Sequence, residues 1–134
     1  MPTHIQAQLR LRSPQLSRDE IAAMIGVLPN HLNPAAAVDS ARAHIIANTW
    51  VFTTPMRDES NDYHLSHCVE GLCDSLGDAK QRIHRAVHVN SVIAVLSCVA
   101  QCMERREPIL YFSPELLARV IEFGAHLDID IYRM

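Results

Sequence analysis

The sequence predicts one α+β domain over residues 1–134, with helices packed on one face of a mostly antiparallel or mixed sheet. Three observations predict it. His4 to Arg12 and Leu127 to Tyr132 both alternate aliphatic and polar residues with period two, the pattern of strands with one buried face. Between them, two segments open on helix-capping residues and continue with apolar residues at helical spacing. The 134 residues, 49% hydrophobic and 20% charged, suit a single ordinary core.

In the first strand Ile5, Ala7, Leu9 and Leu11 fall on one face, and Gln6, Gln8, Arg10 and Arg12 on the other. Ser13-Pro14 ends it. Ser17-Arg18-Asp19-Glu20 is a capping box, followed by Ile21, Met24, Ile25 and Leu28 on one helical face. Gly26 suits the helix C-terminus and Pro29 stops any continuation. Asn30 to Arg42, with Pro34 and three alanines, is expected to be an irregular connection. Ala43 to Thr54, rich in β-branched and aromatic residues, predicts a second strand, and Met56 to Asp62 a surface loop.

Tyr63 to Ala86 predicts the longest helix. Leu65, Val69, Leu72 and Leu76 form its stripe, with a break near Gly77 before Ile83 and Val87. His88 to Val99 predicts a central strand, apolar on both faces. Glu104 to Pro108 is a charged turn, and Ile109 to Phe112 a short fourth strand. Ser113-Pro114-Glu115 starts the last helix, whose expected buried face is Leu116, Leu117, Val120 and Ile121. After Gly124 the closing strand sets Leu127, Ile129 and Ile131 against Asp128, Asp130 and Tyr132. The expected order is β-α-β-α-β-β-α-β.

Composition excludes several classes. A net charge of −3 makes no basic footprint for nucleic acid. The longest apolar run, near Val92 to Val99, is far short of the roughly 20 residues that span a bilayer, so no membrane partner is expected. Met1-Pro2-Thr3-His4 does not open a secretory signal. Cys68, Cys73, Cys98 and Cys102 are therefore expected to be reduced thiols in a cytoplasm. Phosphate-cradling, zinc-protease and nucleophile-elbow motifs are absent from the sequence, and no cofactor is expected.

The candidate chemistry is sparse. Asp128 and Asp130 share a strand face roughly 7 Å apart, within range to hold a cation or act as acid and base. The plainer reading pairs them with Arg10 and Arg12, should the first and last strands be neighbours. His64 and Cys68 lie ~40° apart on one flank of their helical stripe, with Cys73 on the other flank. Two ligands fall short of the four that a structural zinc site needs, so no metal is expected. Trp50 and Phe52 share a strand face, as core or, on an open face, as a binding anchor. The expected binding residues are thus Asp128, Asp130, Tyr132, Arg10, Arg12 and Trp50, with no catalytic set.

The helix Glu20 to Pro29, Trp50, and the C-terminal run from Ser113-Pro114-Glu115 through Phe123-Gly124 to Leu127-Asp128-Ile129-Asp130-Ile131-Tyr132 resemble a bacterial family called domain of unknown function 4279. The resemblance covers nearly the whole chain. It implies a fold type and a bacterial source, and transfers no catalytic residues. Functionally the expectation is a non-enzymatic protein-binding domain. By analogy with other small bacterial proteins, an immunity partner that neutralises a toxin is one form of it. The alternatives are a homodimeric ligand-binding or structural module, and an enzyme built on Asp128 and Asp130.

Overall fold

A computed structural model of the chain describes residues 3–30, 48–102 and 107–133. The first strand, β1 (His4–Arg12), leads into α1 (Arg18–Ile25). Then come β2 (Trp50–Thr53), β3 (Arg57–Asp58), α2 (Leu65–Ser75), a 3₁₀ turn (Gly77–Ala79) and α3 (Lys80–Val89). The chain closes with β4 (Ile93–Cys102), α4 (Pro114–Glu122) and β5 (His126–Arg133). The sheet is mixed, in the order β2-β1-β4-β5, with β3 also paired to β1. β1 runs antiparallel to β2, β3 and β4, whereas β4 and β5 are parallel. The α+β class and the packing of helices on one face are as the sequence predicts.

Alternation decides which face is buried. Ile5, Ala7, Leu9 and Leu11 of β1 and Ala94, Leu96, Cys98, Ala100 and Cys102 of β4 join one core with residues from all four helices. Helix boundaries follow their caps. Ser17 Oγ accepts from the Glu20 N–H while the Glu20 carboxylate accepts from the Ser17 N–H, each at 3.1 Å. The Ser113 hydroxyl accepts from the Leu116 N–H at 3.1 Å. Gly26 ends α1 in the left-handed region at φ 73°, its N–H donating to Ala22 O. Among the described residues no helix is long and apolar enough to cross a membrane.

Several boundaries differ from expectation. Residues 31–47 lie outside the described residues, so the irregular connection and the start of the Ala43–Thr54 strand are not placed. Asn48 and Thr49 are outside any strand, and β2 begins at Trp50. The surface loop from Met56 contains β3, which extends the β2 side of the sheet towards the His4 end of β1. The long helical stretch breaks after Ser75, near Gly77 as expected. Helix α3 then runs on to Val89, because His88 and Val89 complete its last turn, and β4 starts only at Ile93. Residues 109–112 carry no ladder, as the Ile109 N–H donates instead to the Glu59 carboxylate at 2.9 Å. Glu104 to Arg106 lie outside the described residues.

The two helix-ending glycines at φ 73° differ in surroundings. A Cβ on Gly26 would meet the Arg82 side chain at an ordinary 3.6 Å, while one on Gly124 would meet Val87 Cγ1 at 3.2 Å. Gly26→Ala is expected to cost about 1 kcal/mol, from the left-handed backbone alone. Gly124→Ala is expected to cost more, towards about 3 kcal/mol. Urea midpoints of the two variants check that ranking.

Candidate functional site

The parallel register of β5 on β4 sets Leu127 beside Leu96, Ile129 beside Cys98 and Ile131 beside Ala100, all on the helix side. Asp128, Asp130 and Tyr132 fall beside Ser97, Val99 and Gln101 on the other face. That opposite face is shared by Gln6, Gln8, Arg10 and Arg12 of β1.

The structure brings three of the predicted residues together and separates the rest. β1 and β5 are not neighbours; β4 lies between them. Direct cross-strand pairs of both arginines with both aspartates are therefore unavailable. Arg10 reaches over β4 to Asp128, Nη2 to Oδ2 at 3.6 Å, with both side chains over 40% exposed. Such a pair contributes about 0–1 kcal/mol. Asp130 takes a different partner, the hydroxyl of Ser97, which donates to Oδ2 at 2.9 Å. Ser97 is 1% exposed, and sequence reasoning missed it. A lone serine inside the apolar run Val92 to Val99 was the available signal.

Arg12 forms no ion pair among the described residues. It lines a cleft of about 520 Å³ with Pro14, Leu16, Glu20, Asn48 and Ile93, at the opposite end of the sheet from Tyr132. The Glu20 carboxylate in that cleft is already committed to the cap of α1. Neither Asp128 nor Asp130 lines it. Trp50 is a correction to the binding set. It is fully buried, its indole N–H donating to Val27 O at 3.0 Å, so it is core and offers no exposed anchor.

The histidines and cysteines of α2 have local partners. His67 Nδ1 accepts from the His64 N–H at 3.1 Å, and His64 Nδ1 sits 3.0 Å from Ser66 Oγ. Among the described residues no three His, Cys, Asp or Glu side chains are grouped to hold a metal ion. All four cysteines are buried free thiols. Burial raises the thiol pKa of Cys68 and Cys73, and pushes Cys98 up from 9.0 to about 12. Burial also raises Tyr63, whose hydroxyl bonds to Cys68. These are the opposite of the low-pKa thiols that act as nucleophiles.

The two edges of the sheet differ. At the β2 edge Asn30 acts as a plug: its side-chain amide donates to Thr53 O at 2.8 Å and accepts from the Thr53 N–H at 2.7 Å. Its own N–H donates to Val51 O at 3.1 Å. At the other edge β5 pairs with β4 alone among the described residues, leaving alternate N–H and C=O groups on its outer side. Leu127, Ile129 and Ile131 are 38%, 39% and 38% exposed there. Leu117 and Ile121 of α4, expected in the core, are 38% and 70% exposed, because only Leu116 and Val120 of that stripe point inward. The aliphatic face of the closing strand is thus only partly covered.

The raised thiols carry a pH signature. Cys98 stays neutral in the folded chain but ionises near 9.0 when unfolded. Its stabilising effect is complete below pH 9 and is lost as pH rises towards 12, by a few kcal/mol. Urea titrations between pH 8 and pH 11 should show that fall. Native protein at pH 8 should leave its thiols unreacted with Ellman's reagent until denaturant is added.

A family model described as domain of unknown function (DUF4279) matches residues 3–134. No curated protein and no solved structure matches the chain.

Proposed function

Because the chain belongs to the family of the domain of unknown function DUF4279, whose description assigns no activity, we propose a function from geometry: a non-enzymatic protein-binding domain that recognises its partner along the free edge of β5. One observation carries this reading. Among the described residues, an eight-residue strand has a ladder partner on one side only, while three of its aliphatic side chains stay more than a third exposed. Extended segments add to such edges by main-chain hydrogen bonds, and side chains at alternate positions supply specificity. Leu117 and Ile121 are further exposed aliphatic residues, on α4, the helix that leads into the strand. The polar side supports it too, since Asp128 and Asp130 are engaged by Arg10 and Ser97 and lie away from the cleft at Arg12.

The setting we propose is a bacterial cytoplasm, which the four unpaired thiols support. An immunity partner that occupies a toxin is the form that fits a small acidic domain of this kind. Self-association through the same exposed aliphatic residues is the second reading.

The test is affinity capture from the source cell with three baits: the native chain, the double variant Ile129→Asp with Ile131→Asp, and the control Leu28→Asp, whose residue is 79% exposed in the turn after α1. Circular dichroism first confirms that each bait is folded. The expected result is a protein retained by the native and Leu28→Asp baits and lost from the double variant. Identical retention on all three sinks the edge reading.

A further inference from the structure

A strand edge with free backbone groups and exposed aliphatic residues is a template for pairing with a copy of itself. The positions of Asp128 and Asp130 bear directly on that. A two-fold axis perpendicular to an extended sheet keeps every side chain on its own face and runs the two edge strands antiparallel. Symmetric registers of β5 therefore centre on a residue. The two longest centre on Ile129, pairing residues 126–132, and on Asp130, pairing residues 127–133. The first sets Asp128 of each copy opposite Asp130 of the other. The second sets Asp130 opposite itself. Directly opposed side chains have Cβ atoms about 5 Å apart, and like charges at that range destabilise the pair. Centring on Asp128 opposes that residue to itself over a shorter ladder. Centring on Ile131 avoids the conflict but pairs only residues 129–133 and leaves Leu127 outside.

The same carboxylates have capacity for a different strand. A carboxylate offers about four acceptor positions. Among the described residues Asp130 accepts one side-chain hydrogen bond, from Ser97, and Arg10 pairs with Asp128 at 3.6 Å, beyond ordinary hydrogen-bond length. A strand laid along β5 with lysine or arginine opposite these two residues would bring Asp130 the cationic partner it lacks among the described residues, and add a second to the exposed Arg10 pair of Asp128. Aliphatic residues at its alternate positions would meet Leu127, Ile129 and Ile131 on the other face.

Resting on the edge reading above, we propose that β5 takes an extended segment of a different protein in which basic and aliphatic residues alternate, and that Asp128 and Asp130 reject a second copy of this chain. The aspartates thus have two effects from one placement: repulsion in self-pairing and attraction in hetero-pairing.

Two synthetic peptides of about eight residues, capped at both ends, probe this: one alternates lysine with valine, the other glutamate with valine. Binding is read by fluorescence anisotropy and located by amide shifts in nitrogen-15 spectra; self-association is read by sedimentation velocity. The lysine peptide should shift β5 amides and bind at least about tenfold tighter than the glutamate peptide. Asp128→Asn with Asp130→Asn should remove that preference and let the protein dimerise, while the native chain stays monomeric. Asp128→Lys with Asp130→Lys should reverse the preference, so the test does not depend on one variant folding. Equal binding of both peptides at β5 overturns the charge rule and leaves the edge reading standing. Binding of neither peptide at β5 overturns both. A native dimer abolished by Ile129→Asp with Ile131→Asp overturns the rejection of self.

Discussion

The antiparallel ladder between β1 and β4, running from His4 opposite Gln101 to Arg12 opposite Ile93, governs where the other elements go. It joins the two longest strands and sets their small and aliphatic residues on one face, so the helices have one surface to cover. β2 and β3 share the outer side of β1, and between them Thr54 turns back: the Ala7 N–H donates to its hydroxyl at 3.0 Å and its own N–H to Ala7 O at 2.9 Å. The other side of β4 is left for β5, which reaches it in parallel after α4. Parallel pairing requires such a crossover; the antiparallel partners of β1 are also reached through helices, β2 after α1 and β4 after α2 and α3.

This order explains what was legible in the sequence. β1 was readable because it is buried on one face and half-buried on the other, so its alternation is clean. The two capped helices were readable because Ser17 and Ser113 each supply the acceptor that their first turn needs. β4 was hard to bound because a central strand is apolar on both faces, and its run merges with the end of α3. The identity of neighbours lay beyond periodicity. Alternation gave the facing of Asp128 and Asp130 correctly but could not say that β4 intervenes. Arg10 therefore spans a strand, and Ser97, unremarkable in sequence, becomes the partner of Asp130. Trp50 shows the reverse: its aromatic character suited either reading, and only the helix layer over its face decides for core.

The sheet treats its two edges in opposite ways. Asn30 closes the β2 edge with three hydrogen bonds that imitate a further strand. The β5 edge has aspartates on one face and aliphatic residues on the other. Charged edge residues are a common guard against aggregation, and that role is compatible with selective pairing. A guard that excludes the chain's own strand by charge admits a strand of opposite charge.

The near-uniform exposure of Leu127, Ile129 and Ile131 constrains the cause of the open rim. A helix merely too short for its strand would bury one end and expose the other. Equal exposure along the strand means that the helix layer stops short of the edge over its whole length. Full burial of one aliphatic side chain is worth about 1.5–3 kcal/mol, so leaving three of them over a third exposed forgoes roughly 2–3 kcal/mol in all. A core drawn from four helices and three strands can sustain that loss without losing the fold. In association the same few kcal/mol correspond to about a hundredfold in affinity, so the rim weighs more in binding than in folding.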